Sequence, residues 1–418
     1  MADRTILHAD CNGFFASVEC VRNPNLRRVP MAVCGSPEDR HGIILAKNEL
    51  AKARGIVTAE TVWQARKKCP ELVLVPPHHD LYAEYSRQVN AIYARFTDMV
   101  EPFGIDESWL DVTGSRLLFG DGVTIADRLR ALVREETGLT ISVGVSFNKV
   151  FAKLGSDYKK PDATTVFDRA SVETKIYPLP VSALLYVGPA AARTLEGMYI
   201  RTIGELARAD RAFVAARLGK LGEMIHDYAC GLDDSPVAKY GAQREAKSVG
   251  NGLTFPHDLR GYDEIATSVL LLCDTVATRL RHSGRYATVV QVTLKSPSLR
   301  QVQRQQTLPA ATDLARDLAA AAMELVRANW RADAPLRMLT VTAAGLTEER
   351  GAQQLSLFDE AADDGYERQS RLAQAMDGIR ARFGRKAIRP AALLHAEDAA
   401  GHHGVDEEPS DAPPDGRK

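Results

Sequence analysis

Residues Val100 to Val112 read VEPFGIDESWLDV, two short strand-like runs that meet at an acidic pair, Asp106 and Glu107. Neighbouring strand residues point to opposite faces, so adjacent acids serve one site only where the backbone turns between them. The Phe103-Gly104-Ile105 corner allows that turn.

Working outward, Thr5 to Ala9 predicts a buried strand that ends at Asp10. After Asn12-Gly13 the apolar positions Phe14, Val18 and Val21 switch to helical spacing. Leu81, Tyr85, Val89, Ile92 and Phe96 mark one face of a long helix, and strands follow at Met99 to Pro102 and Ser108 to Val112. A helix from about Thr124 to Glu136 and a strand Ile141 to Val145 complete a β-α-β-β-α-β order, the split βαβ arrangement. There the third strand lies between the first and second and runs antiparallel to the first. Asp10 therefore adjoins Asp106, and three carboxylates converge from distant sequence. Between the first helix and the rest, Asn25 to Pro77 looks like an insertion. It has a strand near Met31 to Cys34, a helix from about Ala46 to Arg54 and another from Thr61 to Lys68.

Beyond Val145, Asn148 to Tyr158 predicts a helix that Lys159-Lys160-Pro161 ends. Short helices fill Pro178 to about Gly231, and polar Leu232 to Lys247 suits a linker. A second α/β unit starts near Ser248. It has helices Asp263 to Arg281 and Thr312 to Asn329 and strands Thr288 to Lys295 and Arg337 to Ala343. In Thr288 to Lys295 the alternation puts Val290, Val292 and Leu294 on a packed face and Gln291, Thr293 and Lys295 on a polar one. After an apolar island at Gln353 to Asp359 comes a helix Tyr366 to Phe383, then a tail expected to be disordered.

At 418 residues the chain is too long for one core. Lys plus Arg number 53 against 54 Asp plus Glu, so no global charge advertises a polyanionic partner. The balance hides a local bias. Arg279 to Arg304 holds six Lys/Arg and no acid, while Ala396 to Lys418 holds seven acids and two bases. The six cysteines form no metal-finger spacing, and reduced thiols are the plain reading. The opening MADRTILHADC lacks a charged segment followed by a long apolar run, and no apolar stretch is long enough to span a membrane. A cytoplasmic protein without membrane contact is expected.

Three acids at strand ends, with no His or Cys in the pattern, suit hard oxygen-liganded cations such as Mg²⁺. Two such ions can activate an attacking oxygen and stabilise a leaving one. At this point HADCNGFFASVE, GIDESWLDVT and SVGVSFNKVFAKLGSDYKKPDATTVF resemble, in order, the motifs of Y-family translesion DNA polymerases, in particular the bacterial DNA polymerase IV branch. The resemblance spans about residues 4 to 345. It implies an α+β, multidomain fold. A βαββαβ palm (1–24 and 78–168) carries inserted fingers (25–77), followed by a helical thumb with a helix-hairpin-helix (169–231). A linker (232–247) leads to a separate α/β little finger (248–347) and a C-terminal extension (348–418).

By motif position Asp10 and Asp106 would bridge two Mg²⁺ ions, Glu107 would complete the catalytic one, and the Cys11 carbonyl would be a backbone ligand. Phe14 and Phe15 match the paired aromatics, the second being the steric gate against a ribose 2′-hydroxyl. Lys160 matches the lysine that reaches the triphosphate. Two departures stand out. Where the family's fingers carry a Tyr and an Arg on the triphosphate, this chain has Asn48-Glu49-Leu50-Ala51-Lys52, with Lys52 expected to hold phosphate and Glu49 to orient it at i,i+3 spacing. Asn12 also replaces a common Asp.

Tyr186 to Glu196 with Thr202 to Leu206 resembles a helix-hairpin-helix whose amides, around Gly188, bind DNA phosphates. Arg279, Arg281, Arg285, Lys295, Arg300 and Arg304 are read as a DNA backbone track. Gln354-Leu355-Ser356-Leu357-Phe358 resembles the bacterial sliding-clamp peptide, with Leu357 and Phe358 filling a pocket and Gln354 hydrogen-bonding. The implied activity is low-fidelity, template-directed nucleotidyl transfer from dNTP to a primer 3′-hydroxyl by a monomer, on primer-template DNA. Two other readings stand beside it, a non-catalytic clamp-binding mutasome adaptor of the same fold and a palm-type nucleotide cyclase.

Overall fold

Six consecutive buried residues, Ile6–Cys11, form β1, and burial on both sides makes it a central strand. The computed structural model describes residues 3–35, 42–242, 245–350 and 363–393. These fall into two compact units, residues 3–34 with 43–242 and residues 245–350 with 363–393.

In the first unit the strands after β1 are β2 (Met31–Cys34), β3 (Ile44–Lys47), β4 (Val73–Val75), β5 (Val100–Pro102), β6 (Glu107–Asp111), β7 (Ile141–Ser146) and β8 (Thr164–Phe167). The helices are α1 (Phe14–Arg22), α2 (Glu49–Ala53), α3 (Val62–Lys68), α4 (His79–Tyr93), α5 (Arg116–Phe119), α6 (Gly122–Thr137), α7 (Lys149–Tyr158), α8 (Pro189–Gly197), α9 (Ile203–Arg208), α10 (Arg211–Leu218) and α11 (Lys220–Ala229). The main sheet runs β5-β6-β1-β7-β8, with β6 and β7 both antiparallel to β1. This matches the strand order read from the β-α-β-β-α-β pattern, with β8 added at one edge, parallel to β7.

The alternation along β1 sorts its residues. Leu7, Ala9 and Cys11 pack with Val89 and Ile92 of α4 and with Ile125 and Leu129 of α6. Ile6, His8 and Asp10 take the opposite face, where Ile6 packs with Trp109 and with Ala152 of α7. Close approach of α7 needs a bare backbone at Gly144: a Cβ there would stand 1.9 Å from the Ala152 carbonyl oxygen and 2.5 Å from the Ser156 nitrogen. Neither atom can yield without moving α7. Gly144→Ala is therefore expected to destabilise the protein by about 3 kcal/mol, the upper end of ordinary overpacking, read as a lowered denaturant midpoint.

The insertion forms its own three-stranded sheet, β3-β2-β4. The helix expected over Ala46 to Arg54 is corrected here. Ala46 and Lys47 belong to β3, paired with Val33 and Ala32, and the helix is only Glu49–Ala53. Asn48 causes the break, because its side-chain oxygen accepts from Ala51 N while its amide donates to Leu26 and Val29 carbonyls. Helices α8 to α11 pack around Leu195, Ile203, Leu206, Val214 and Ile225. Of the expected linker, residues 232–242 are stapled down rather than free. Arg4 donates to the Asp233 and Ser235 carbonyls, Val237 is buried, and Glu101 accepts from Ala238 N at 2.9 Å while pairing with Lys149 at 2.7 Å.

In the second unit β9 (Ser248–Leu259), β10 (Tyr286–Lys295), β11 (Gln301–Thr312) and β12 (Leu336–Thr347) form a sheet of order β11-β10-β12-β9. Helices α12 (Tyr262–His282) and α13 (Ala315–Asn329) bury Val290, Val292 and Leu294 of β10, as its alternation predicts. The edge strands β9 and β11 were not anticipated. Both carry a Pro, Pro256 and Pro309, and a run of polar or Gly residues, so their apolar signal is weak. Helix α14 (Asp363–Phe383) belongs to this unit, held by Arg281–Asp377 at 2.6 Å, Arg380–Asp274 at 3.0 Å and Tyr366 donating to Asp313 at 2.6 Å. Among the described residues no helix is long and apolar enough to cross a membrane.

Candidate active site

Register places the acids. Asp10 of β1 lies directly opposite Glu107 of β6, and His8 opposite Trp109. Directly opposed residues share a face, so Asp10, Glu107 and His8 all project toward the side that carries α7. Asp106 precedes β6 in the corner, and its carbonyl accepts from Cys11 N at 2.9 Å. A cavity of about 390 Å³ opens there, lined by Asp10, Cys11, Phe14, Phe15, Asp106 and Lys160, together with Lys47 and Thr58 from the insertion.

Lys160 Nζ lies 2.8 Å from Asp10 Oδ1 and 2.7 Å from Asp157 Oδ1. Burial would lower its pKa, but the two carboxylates outweigh that and raise it. The loop that carries Lys160 is tied by Asn12, which accepts from Asp162 N at 2.8 Å and donates to Ser142 at 2.9 Å. Asn12 thus tethers this loop to the strand beside it. Burial raises the Asp10 carboxyl above its usual range despite Lys160. Asp106 is pushed up to about 6, first by burial and then by the Asp10 and Glu107 charges.

Glu107 behaves differently. Burial would raise it, yet the neighbouring His8 and Lys153 hold it at about 2. Lys153 Nζ of α7 donates to Glu107 Oε2, and His8 Nε2 lies 3.4 Å away, a long contact that leaves this ring nitrogen without a well-formed hydrogen bond. His8 is itself buried, which lowers its pKa, and its Nδ1 meets Ser156 Oγ at 2.8 Å. Among the described residues no three His, Cys, Asp or Glu side chains stand arranged to hold a metal ion. Lys160 pairs with Asp10 and Lys153 with Glu107, and Asp106 lies close enough to feel the charge of both carboxylates.

Phe14 is buried in the core beneath the sheet, whereas Phe15 is half-buried and faces the cavity. Its ring stacks on Tyr82 at 4.1 Å and 13°, and Tyr82 OH donates to the buried Glu19 carboxylate at 2.6 Å, which also meets His78 Nδ1 at 2.7 Å. Lys52 does not line the cavity. It is exposed on α2 and pairs with Glu49 at 3.5 Å, the i,i+3 contact its spacing predicts.

Gly188 caps α8 at an exposed position, and Tyr199 adopts φ 63°, the conformation for which the usual Gly would be better suited. In the second unit Arg281 is committed to Asp377 and to the Asp313 carbonyl and is set aside as a phosphate contact. Arg279 donates to the Gly250 carbonyl and Arg285 pairs with Glu348 at 3.0 Å. Arg304 opposes Val292 while Lys295 opposes Gln301, so these two cations lie on opposite faces of the sheet. Arg300 is exposed in the turn between β10 and β11. Gln354, Leu357 and Phe358, and the tail expected to be disordered, lie outside the described residues.

Lys47, Thr58, Tyr82, His8 and Lys153 were not found by sequence reasoning. For Lys47 the usable signal was the apolar run Ile43 to Ala46, which reads as strand; Tyr82 lies one residue off the face marked by Leu81 and Tyr85, yet is among the buried residues of α4.

The impB/mucB/samB family model matches residues 9–157, and the model of that family's C-terminal domain matches 246–357. DNA polymerase IV of Acetivibrio thermocellus is 45% identical over 391 residues, covering 94% of this chain and 98% of the relative. DNA polymerase IV of Moorella thermoacetica is 42% identical, covering 94% and 97%. A solved Y-family DNA polymerase chimera of Dbh and Dpo4 superposes with a TM-score of 0.73 at 21% identity, over 82% of this chain and 100% of that one. With a Y-family polymerase fold and this extent of identity, the chain belongs to the DNA polymerase IV family.

Proposed function

We propose that the chain adds deoxynucleotides to a primer 3′-hydroxyl through the cavity at the end of β1. It is a template-directed, low-fidelity DNA polymerase of the translesion kind. The observation that carries the site assignment is the meeting, in one cavity, of Asp10, Asp106, Lys160 and Phe15. Two carboxylates at strand ends, a phosphate-seeking ammonium and a ring at sugar height are the parts nucleotidyl transfer needs.

The donor set fits divalent ions. Asp106, pushed up to about 6 by burial and by neighbouring carboxylates, is short of positive charge. Asp10 and Asp106, with the Cys11 carbonyl and with Glu107 once released from Lys153, would hold two Mg²⁺ ions through oxygen alone. Bound there, such ions activate the attacking hydroxyl and stabilise the leaving pyrophosphate. The chain's own residues do the rest. Lys160 sits beside Asp10 and can transfer its charge to the triphosphate, while Phe15, braced by Tyr82, blocks the space of a 2′-hydroxyl. We place the working unit as a monomer in the cytoplasm.

Primer extension with Mg²⁺ over a panel of damaged templates tests this reading. Extension opposite lesions is the expected result. No extension would point to the adaptor, and cyclisation of a triphosphate without DNA would point to the cyclase.

Clamp binding by Gln354 to Phe358 is part of the same proposal. Replacing Leu357 and Phe358 with Ala is expected to abolish stimulation by the sliding clamp while leaving synthesis on naked primer-template unchanged, because the peptide supplies avidity and not chemistry. Equal stimulation of both proteins in a clamp-loaded extension assay would remove the assignment.

A further inference from the structure

The exposed stripe Leu372, Ile379 and Phe383 on α14 has nothing to identify what would cover it. The open face of the β9 to β12 sheet presents Gln and Thr side chains with Lys295 at the end of β10, and nothing there singles out a partner. The cavity at the end of β1 carries an inference further. We propose that Lys47, at the end of β3, is the insertion's cation for the incoming triphosphate, in the role that motif position gave to Lys52. This rests on the polymerase reading above.

Lys47 lines the same cavity as Asp10, Asp106, Phe15 and Lys160, and Lys52 lines no part of it. Glu49 holds Lys52 at the surface, at 3.5 Å, so two charges that motif position brings to the nucleotide neutralise each other outside. The Lys47 ammonium instead donates to the neutral hydroxyl of Thr58 at 3.0 Å and forms no ion pair among the described residues. Lys160, the other cavity cation, is already shared between Asp10 and Asp157. Lys47 is therefore the cavity's uncommitted positive charge. Burial lowers its pKa and Lys52 adds to that, outweighing the opposing pull of the Glu49 and Glu60 carboxylates, neither of which pairs with it directly.

The placement is built into the fold. Gly13, at φ 54°, brings the start of α1 so close to β3 that a Cβ on it would stand 3.3 Å from the Lys47 carbonyl oxygen. The strand end is thus fixed beside the helix that carries Phe14 and Phe15. β3 continues through Lys47 before Asn48 caps the short helix, and this leaves Lys47 among the residues that line the cavity. A compact ammonium acts as a point charge and needs no planar partner, so it can serve a phosphate without the fork geometry of Arg.

The test uses the full-length protein on a dideoxy-terminated primer-template, with binding of the matching dNTP and dNDP measured separately. Lys47→Gln is expected to weaken dNTP binding about tenfold and to erase most of the preference for triphosphate over diphosphate, while Lys47→Arg retains most of both. Lys52→Ala should shift dNTP affinity by less than about twofold, and primer-template affinity without nucleotide should be unchanged in all variants. Unaltered dNTP affinity in Lys47→Gln, or a loss carried by Lys52→Ala instead, would overturn the assignment. Extension of an unblocked primer by the wild-type protein separates the two levels: its absence removes the polymerase reading and this inference with it.

Discussion

Asp106→Asn is expected to abolish nucleotide incorporation while leaving primer-template binding intact. The substitution keeps the shape of the side chain and removes the charge that would hold an ion between Asp10 and the corner before β6. Loss of such a ligand removes several kcal/mol of transition-state stabilisation, or at least about a thousandfold in rate. Near-normal extension by the variant would take these acids out of the mechanism.

The same change has an opposite expected effect on stability. The folded-state pKa of Asp106, about 6, lies above the usual 3.8, so between these values the folded protein binds the proton that the unfolded chain releases. Stability from this group is therefore gained as pH falls through 6 and is absent above it. An upward shift of about two units corresponds to at most about 3 kcal/mol, and partial solvent access reduces that to about 1 to 2 kcal/mol. Without divalent ions, Asp106→Asn should melt higher than wild type at pH 8 and show little difference near pH 4. Identical melting at both pH values would mean that the carboxylate is compensated in the folded protein.

Phe15→Ala is expected to raise ribonucleotide incorporation relative to deoxyribonucleotide by at least about tenfold. Discrimination here is steric, so it should follow ring size. The Phe15 ring cannot simply turn aside, because it stacks on Tyr82 at 4.1 Å and Tyr82 is anchored through Glu19 at 2.6 Å. A bulky side chain braced from behind excludes a hydroxyl better than one free to rotate. Competition between rNTP and dNTP in single-turnover incorporation reads the effect, and unchanged sugar selectivity would show that another side chain is the gate.

Much of this architecture was legible in the residues. The apolar run at Ile6 to Ala9 ending at Asp10, the helical spacing of Leu81 to Phe96 and the paired runs around Asp106 are enough for the β-α-β-β-α-β order, and that order implies which strands are neighbours. The same patterns hid the edge strands β9 and β11. An edge strand is half exposed and shows no sustained apolar alternation, so polar runs such as Gln301 to Gln306 read as loop.

What the sequence determined by itself is the identity of the chemistry: the acids, the ring and the lysine stand in local motifs whose types and spacing survive any packing. The tertiary structure decided which of them meet. Register put Glu107 opposite Asp10 and within reach of Lys153, burial and the neighbouring carboxylates raised the pKa of Asp106, and Asn48 ended β3 at Lys47, which lines the cavity. It also withdrew Arg281 into a pair with Asp377, nearly 100 residues away. Charge pairing and burial depend on distances across the fold. A side chain's neighbours in sequence do not contain them, and one residue of strand or helix shifts which way a lysine points.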